Sequence, residues 1–378
     1  MVKFAKPGQQ EPYRVMAAAA IRGALQDAGI DSGLIEQAYG SYIYGDSTCA
    51  QHALYDVCQT GIPVINVNNN CSSGSTALFL ARQAVASGGV ECALAFGFEE
   101  MQPGAIGSAW DDRESPLDRF SGVLDRLGYP EAPLALRCFG AAGHAYMEKY
   151  DAKPDLFAKV AVKTRQHAGN NPLAVFSQPI TEQQVLADRV VYMDYLTRSM
   201  CCPPTCGAGA ALVCSEAFAK RYGISRTVKI AAQAMATDTA VTWEDPINLI
   251  GRDMTRRAAE AVYEQSGLGP EDIQVIELHD CFTINEVVTY EGLGLCEEGG
   301  ATRLVETANN TYGGKFVVNP SGGLMSKGHP IGATGLAQCY ELVNQLRGSA
   351  GDRQVPGARF GLQHNLGLGG AVVVTLYG

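Results

Sequence analysis

Four short segments carry residue types whose spacing suits nucleophilic and acid–base chemistry. In NNNCSSGSTALFLARQAV, Cys71 stands where a strand-like INVNN ends and a largely apolar helix begins. A thiol at the positive end of a helix dipole is expected to have a lowered pKa, which favours the thiolate nucleophile. Cysteine is also among the most buried residue types, so Cys71 taken alone reads more readily as core. In SGGLMSKGHPIGATG, His329 lies between Gly328 and Pro330 in a glycine-rich turn. An imidazole fixed there could serve as general base toward a thiol and as donor to a thioester oxygen, or be a structural histidine held by backbone. ELHDCFTINEV places His279, Asp280 and Cys281 at the end of a predicted strand, where α/β folds tend to carry reactive groups. A thiol beside an imidazole can shuttle a proton; the other reading is a strand-to-helix turn in which Asp280 or Thr283 caps the next helix. QHNLGLGGAVVV offers His364 and Asn365 before a glycine run, whose amides could form an oxyanion hole or simply turn tightly into a strand.

The elements that must position these residues repeat along the chain. Residues 15–39 read as a helix stopped by Gly29 and followed by a strand, and residues 254–278 repeat that order with Gly267. Residues 74–89 pair with 332–348, each a small-residue turn leading into a helix, and GAGAALVCS at 207–215 pairs with GLGGAVVVT at 367–375. The offset between partners falls by about 98 residues between the second and third pairs, so residues 100–200 are predicted to be an insertion in the first half, a lid or substrate-binding subdomain. Its run PDLFAKVAVKTRQHA reads as a helix. Alternating helical and strand patterns favour an α/β fold, with halves at 1–225 and 226–378; one decorated α/β domain is the rival. The second half opens with a strand-like TVKIAAQAMATD, whereas the first has only a polar stub before Tyr13. A first sheet strand is therefore expected to be missing.

Composition narrows the partners. With 378 residues, 46% hydrophobic and 18% charged, the chain can bury a large core. The net charge of −10 argues against nucleic acid, which normally needs a basic face. Twelve cysteines without a regular framework read as reduced thiols in an intracellular compartment. Cys201, Cys202 and Cys206 form the only tight cluster, read as packed or loop cysteines in preference to a zinc site because no paired CxxC or Cys/His set accompanies it. No apolar run reaches the length of a membrane span, and MVKFAKPGQQEPYR lacks the apolar stretch of a signal peptide.

Taken together, VINVNNNCSSGSTALF, ELHDCFTINEV, NTYGGKFVVNPSGGLMSKGHPIGATGLAQ and LQHNLGLGGAVVVTLY resemble the thiolase superfamily, over essentially the whole chain, and within it the sterol carrier protein X type, marked by HDCF where ordinary thiolases have NEAF. The resemblance implies a five-layered α-β-α-β-α fold of two similar halves with a loop domain inserted in the first, assembled as a homodimer or homotetramer. It implies an acyltransferase of lipid metabolism and fatty acid β-oxidation that cleaves 3-ketoacyl-CoA or runs the reverse Claisen condensation. Coenzyme A is then a co-substrate, with no permanently bound cofactor and no metal. By the same resemblance Cys71 is the acylated nucleophile, His329 its base, and Cys281 the acid/base at C2 of acetyl-CoA. His279 and His329 build one oxyanion hole, and the amides of Cys71 and Gly367 the other.

Asn365 stands where ordinary thiolases carry a second catalytic cysteine, and Cys206 where the family usually has aspartate. A retro-aldolase of steroid side-chain CoA esters, or a non-catalytic CoA- or lipid-binding protein, are the alternatives; the intact Cys71, Cys281 and His329 set weighs against both. The compartment is expected to be cytoplasmic in a bacterium or peroxisomal in a eukaryote, although the chain ends LYG without the Ser-Lys-Leu type signal.

Overall fold

The computed structural model describes residues 1–104, 107, 110 and 112–378. Residues 105–106, 108–109 and 111, part of the expected insertion, lie outside the described residues.

The first sheet is made by β1 (Gln37–Ser41), β2 (Val64–Val67), β3 (Cys92–Glu99) and, after a small hairpin of β4 (Val190–Tyr192) and β5 (Leu196–Thr197), β6 (Gly207–Cys214). Its order is β2-β1-β3-β6, parallel except for the antiparallel β3–β6 pair. The second sheet contains β7 (Ile230–Ala236), β8 (Val275–Glu277), β9 (Val317–Val318), β10 (Gly361–Gly367) and β11 (Ala371–Tyr377) in the order β7-β11-β10-β8-β9. Removing β7 leaves β9-β8-β10-β11, which again is parallel but for its last, antiparallel pair. The repeat read from sequence is thus a repeat of sheet topology. Strand β3, CALAFGFE, is buried along its whole length, as befits a continuous apolar run covered on both faces.

Between the sheets lie two helices, Ser73–Ala86 and Thr334–Leu346, packed on each other and on both sheets. Outside them, Tyr13–Ala28 covers the first sheet and Arg252–Ser266 the second. The order from one surface to the other is helix, sheet, helices, sheet, helix: the five-layered thiolase arrangement. The central crossing depends on small residues. A Cβ on Gly335 would fall 2.1 Å from Ser75 Oγ and 2.3 Å from its backbone nitrogen, so only glycine lets the two helix starts meet.

The counterpart of β7 is only partly replaced. Val2 donates to the Ala208 carbonyl, and Ala5 exchanges two backbone hydrogen bonds with Cys206. Residues 1–12 form no strand beyond this, and the rest of the outer edge of β6 has no ladder partner among the described residues. Cys206 sits in this seam, fully buried, with its sulfur 3.2 Å from the Met101 amide and 3.4 Å from the Met101 carbonyl. Its place is explained by packing and a backbone clip.

Residues in the 100–200 stretch form helices Asp118–Arg126, Leu134–Tyr150, Pro154–Ala168 and Glu182–Leu186 together with the β4–β5 hairpin. Pro154–Ala168, the helix read from sequence, packs on Thr283–Gly292 and on a single π-type turn at Gly323–Lys327. Thr283–Gly292 begins just after Cys281 in the chain, and the turn ends just before His329. No described helix is long and apolar enough to cross a membrane.

Candidate active site

Cys71 occupies the tip of the turn joining β2 to the helix Ser73–Ala86. The amides of Ser72 and Ser73 close it on the carbonyls of Asn69 (3.2 Å) and Asn70 (3.0 Å). Asn70 adopts φ 49°, left-handed backbone that asparagine tolerates. From the second sheet, the end of β10 presses on this turn. A Cβ on Gly367 would stand 2.2 Å from the Asn69 carbonyl oxygen and 3.1 Å from the Ser72 nitrogen, so no larger residue fits. Asn70 Nδ2 also donates to the Leu368 carbonyl at 3.0 Å.

His329 and His279 arrive from the second half. Cys71 Sγ and one ring nitrogen of each histidine lie within 4.8 Å of one another, and the two imidazoles meet edge to face with centroids 5.0 Å apart. His329 Nδ1 is 2.7 Å from Thr334 Oγ1, whose hydroxyl is 2.9 Å from the Pro330 carbonyl. A carbonyl can only accept, so Thr334 donates to Pro330 and accepts from His329. His329 therefore carries its proton on Nδ1 and leaves Nε2 bare. His279 Nδ1 faces Asn365 Nδ2 at 2.9 Å.

Cys281 lies buried beside this triangle, near enough to Cys71 and Cys202 for their charges to bear on its thiol. Phe282 stacks on Phe139 of the helix Leu134–Tyr150, centroids 4.5 Å apart. Cys202 donates its amide to the Cys281 carbonyl at 2.9 Å, and Pro204 pairs with His329. Cys202 is thus a third thiol of the site. Sequence reasoning placed it with Cys201 and Cys206 as packed or loop cysteines, but the three go to different places. Cys201 turns to the Thr197 carbonyl and Cys206 to Met101.

Burial decides the electrostatics. It pushes the Cys71 thiol up to about 12, with the nearby Glu99 adding to the rise and the Cys71 amide opposing it. The lowering expected from the helix dipole does not prevail, because desolvation of the thiolate outweighs the partial charge at the helix start. Burial also pushes Cys281 well up, reinforced by Cys202, Cys71 and Asp280. His329 is held down to about 3 by burial, and His279 well below its ordinary value by burial, His329 and His364. The resting pair is neutral thiol and neutral imidazole.

Three buried carboxylates hold the segment before His329. Asp280 accepts from the amides of Leu324 (2.7 Å) and Met325 (3.4 Å). The alternative in which Asp280 or Thr283 caps the next helix is not realised: neither side chain caps Thr283–Gly292, and Thr283 Oγ1 is buried without a partner among the described residues. Glu277 accepts from Ser321 N and Oγ (3.1 and 2.7 Å) and from Lys327 Nζ (3.1 Å). Glu286 is paired with Lys163 from the helix Pro154–Ala168 and accepts from Asn319 Nδ2 at 3.3 Å. On the other side, Glu99 accepts from the amides of Tyr44 (3.0 Å) and Gly332 (2.9 Å), joining the loop after β1 to the loop after His329. Glu99 lies in no motif singled out in the sequence, and Thr334 lies in the SGGLMSKGHPIGATG segment without being singled out there as the partner of His329.

Comparisons with known proteins agree with this construction. Residues 1–202 match the family profile "Thiolase, N-terminal domain" and residues 232–376 match "Thiolase C-terminal domain-like". The chain is 53% identical over 384 aligned residues to sterol carrier protein 2 of Oryctolagus cuniculus, covering all of this chain and 70% of that one. It is 36% identical to the benzoylsuccinyl-CoA thiolase subunit BbsB of Thauera aromatica, covering 94% of this chain and 90% of that one. Among solved structures, the Ltp2-ChsH2(DUF35) aldolase superposes with a TM-score of 0.80 at 22% identity, over 100% of this chain and 95% of that one, a likeness of fold. A duplicated five-layered fold, with Cys71 of one half facing His279 and His329 of the other, and profile matches to both halves identify this chain as a member of the thiolase family.

Proposed function

We propose that the protein cleaves a 3-ketoacyl-CoA with coenzyme A, or runs the reverse Claisen condensation of an acyl-CoA with acetyl-CoA, through an acyl-thioester on Cys71. The observation that carries this reading is the convergence of Cys71 Sγ with ring nitrogens of His279 and His329 within 4.8 Å, with the Cys281 thiol beside them. His329, bare at Nε2, takes the Cys71 proton as sulfur attacks the C3 carbonyl. Because thiol and imidazole are both neutral at rest, that transfer accompanies S–C bond formation. The C2–C3 bond then breaks, Cys281 protonates C2 of the departing acetyl-CoA, and the acyl group stays on Cys71. Coenzyme A, its thiol deprotonated by the Cys281 thiolate left from the first stage, attacks that thioester, and acyl-CoA leaves as His329 returns its proton to Cys71. Oxyanions form in two places. The amides of Cys71 and Gly367 face the acyl oxygen, and His279 with the newly protonated His329 faces the enolate oxygen of acetyl-CoA.

In the same proposal residues 1–225 and 226–378 are the two halves, residues 100–200 cover the CoA or acyl end, and the molecule is a homodimer or homotetramer of lipid metabolism. Retro-aldol cleavage would leave Cys71 and Cys281 without work. Thiolysis of acetoacetyl-CoA and of a long-chain 3-ketoacyl-CoA, followed with intact-mass measurement of the acyl-enzyme, tests the reading. Turnover of neither substrate, or an acyl group mapped to a residue other than Cys71, refutes it.

A further inference from the structure

His279 and His329 are both neutral and buried, yet the reaction proposed above asks opposite things of them at the outset: a lone pair from His329 and a proton from His279. Thr334 supplies the first condition. The second is traceable through a chain of hydrogen bonds that begins far from the thiol. Gln363 Nε2 lies 2.7 Å from the Gly335 carbonyl, and Tyr377 donates its hydroxyl to Gln363 Oε1 at 2.5 Å. The carbonyl can only accept, so the Gln363 amide has one orientation. Its Nε2 also donates to Ser75 Oγ at 2.7 Å. Ser75 has its own proton left to give, and its remaining neighbour is Asn365 Oδ1 at 2.8 Å. Asn365 is thereby oriented with its oxygen toward Ser75 and its Nδ2–H toward His279 Nδ1, 2.9 Å away. All four side chains are buried, Gln363, Ser75 and Asn365 fully. Bulk solvent does not reach these groups, and a reversed amide would face donor to donor.

From this we infer that Asn365 is a positioning residue that fixes the tautomer of His279, donating to Nδ1 so that the ring proton sits on Nε2 and points into the site as an oxyanion donor. The inference rests on the thiolase reading for what the Nε2 proton does, though not for where it sits. It also distinguishes the triangle of Cys71, His279 and His329 from a metal site, since a nitrogen that bears a proton offers no lone pair to an ion. Position 365 then works through the histidine, in a place where a thiol would have been a reacting group itself.

The test begins with the wild-type protein labelled with 15N-histidine, the His279 signals being identified by their loss in His279→Gln. A pyridine-type Nδ1 and a pyrrole-type Nε2 are expected; the opposite pattern overturns the inference whatever the enzyme does. Asn365→Asp supplies the second measurement, because an ionised carboxylate there accepts from Nδ1 and reverses the tautomer. In that variant the carbon–carbon step should fall on the order of 10²-fold, the worth of one oxyanion donor. Acetylation of Cys71 by acetyl-CoA, which uses the other oxyanion hole, should stay within about threefold of wild type. An unchanged carbon–carbon step, or an equal loss in both stages as from general damage, overturns it. Should Asn365→Asp not fold, the wild-type spectrum decides alone. A wild-type protein with the expected spectrum and no thiolysis would refute the proposed function and leave the tautomer assignment standing.

Discussion

Lys163, from the 100–200 stretch, forms an ion pair with Glu286, four residues beyond Phe282, and both side chains are almost wholly removed from solvent. Tyr290 donates to the same carboxylate. Removing one partner leaves a buried charge uncompensated, which typically destabilises by about 3–5 kcal/mol. Lys163→Met should therefore lower stability by that order in urea unfolding. Lys163→Met/Glu286→Gln should recover much of it, because the loss comes from the stranded carboxylate. Equal losses in single and double variants would show that the cation matters for packing alone.

The two thiols given roles in the proposed mechanism should separate by stage. Cys71→Ala is expected to abolish both acyl-enzyme formation and turnover. Cys281→Ala should still become acetylated, visible by intact mass, while thiolysis and condensation fall on the order of 10²–10⁴-fold, the usual worth of a positioned acid/base. His329→Ala should impair both stages. Near-normal thiolysis by Cys281→Ala would remove Cys281 from the mechanism.

Gly367 is a sensitive position for a conservative change. Gly367→Ala places a methyl group 2.2 Å from the Asn69 carbonyl oxygen, and backbone on both sides leaves little room to yield. Overpacking of this kind costs about 1–3 kcal/mol, and it displaces the turn that presents Cys71. Acetylation should drop by at least about tenfold, a misplacement effect, in protein that still unfolds cooperatively. Wild-type acetylation in that variant would mean that the two loops have slack.

Stability should peak near pH 6.5, for reasons of opposite sign on either side. Burial lowers His329 and His364 to about 3 and His167 to about 4. As pH falls below 6.5 the unfolded chain gains protons on these rings that the folded chain does not, and stability is lost. Burial raises Glu99 to about 7 and Asp280 to about 8. The folded state keeps those protons where the unfolded state has released them, so stability falls again as pH rises through 7 and 8, by about 1 kcal/mol between pH 6.5 and 8. Urea midpoints measured from pH 5 to 8.5 check this; a monotonic rise across the range would contradict it.

Much of the fold was legible because it is local. Helix 154–168 follows from its helix-like run, and strands β6 and β11, one in each sheet, from glycines opening apolar runs. The pairing of 74–89 with 332–348 foretold that two small-residue helix starts occupy equivalent places, and the structure shows them in contact. The side chains singled out at Cys71, His279, Cys281 and His329 are brought together. What escaped was set by the surroundings. The direction of the Cys71 shift depends on how deeply the thiol is desolvated, which a helix start alone does not reveal. Cys202 reaches the site through pairing of 201–204 with segments roughly 80 and 125 residues away. Asp280 acts on amides 44 and 45 positions on, where local reasoning placed a cap. The seam at Ala5 and Cys206, two bridging hydrogen bonds in place of a strand, had no counterpart in the sequence pattern.

The position of the candidate site between the halves has a consequence for how the proposed activity comes into being. Its sulfur belongs to one member of the duplication and its imidazoles to the other, so neither member is competent before they dock. Until then Cys71 lacks the imidazoles that the proposed mechanism uses as base and oxyanion donors, and a newly made or half-folded chain has no assembled site for acyl transfer. The proposed activity would be a report of completed assembly.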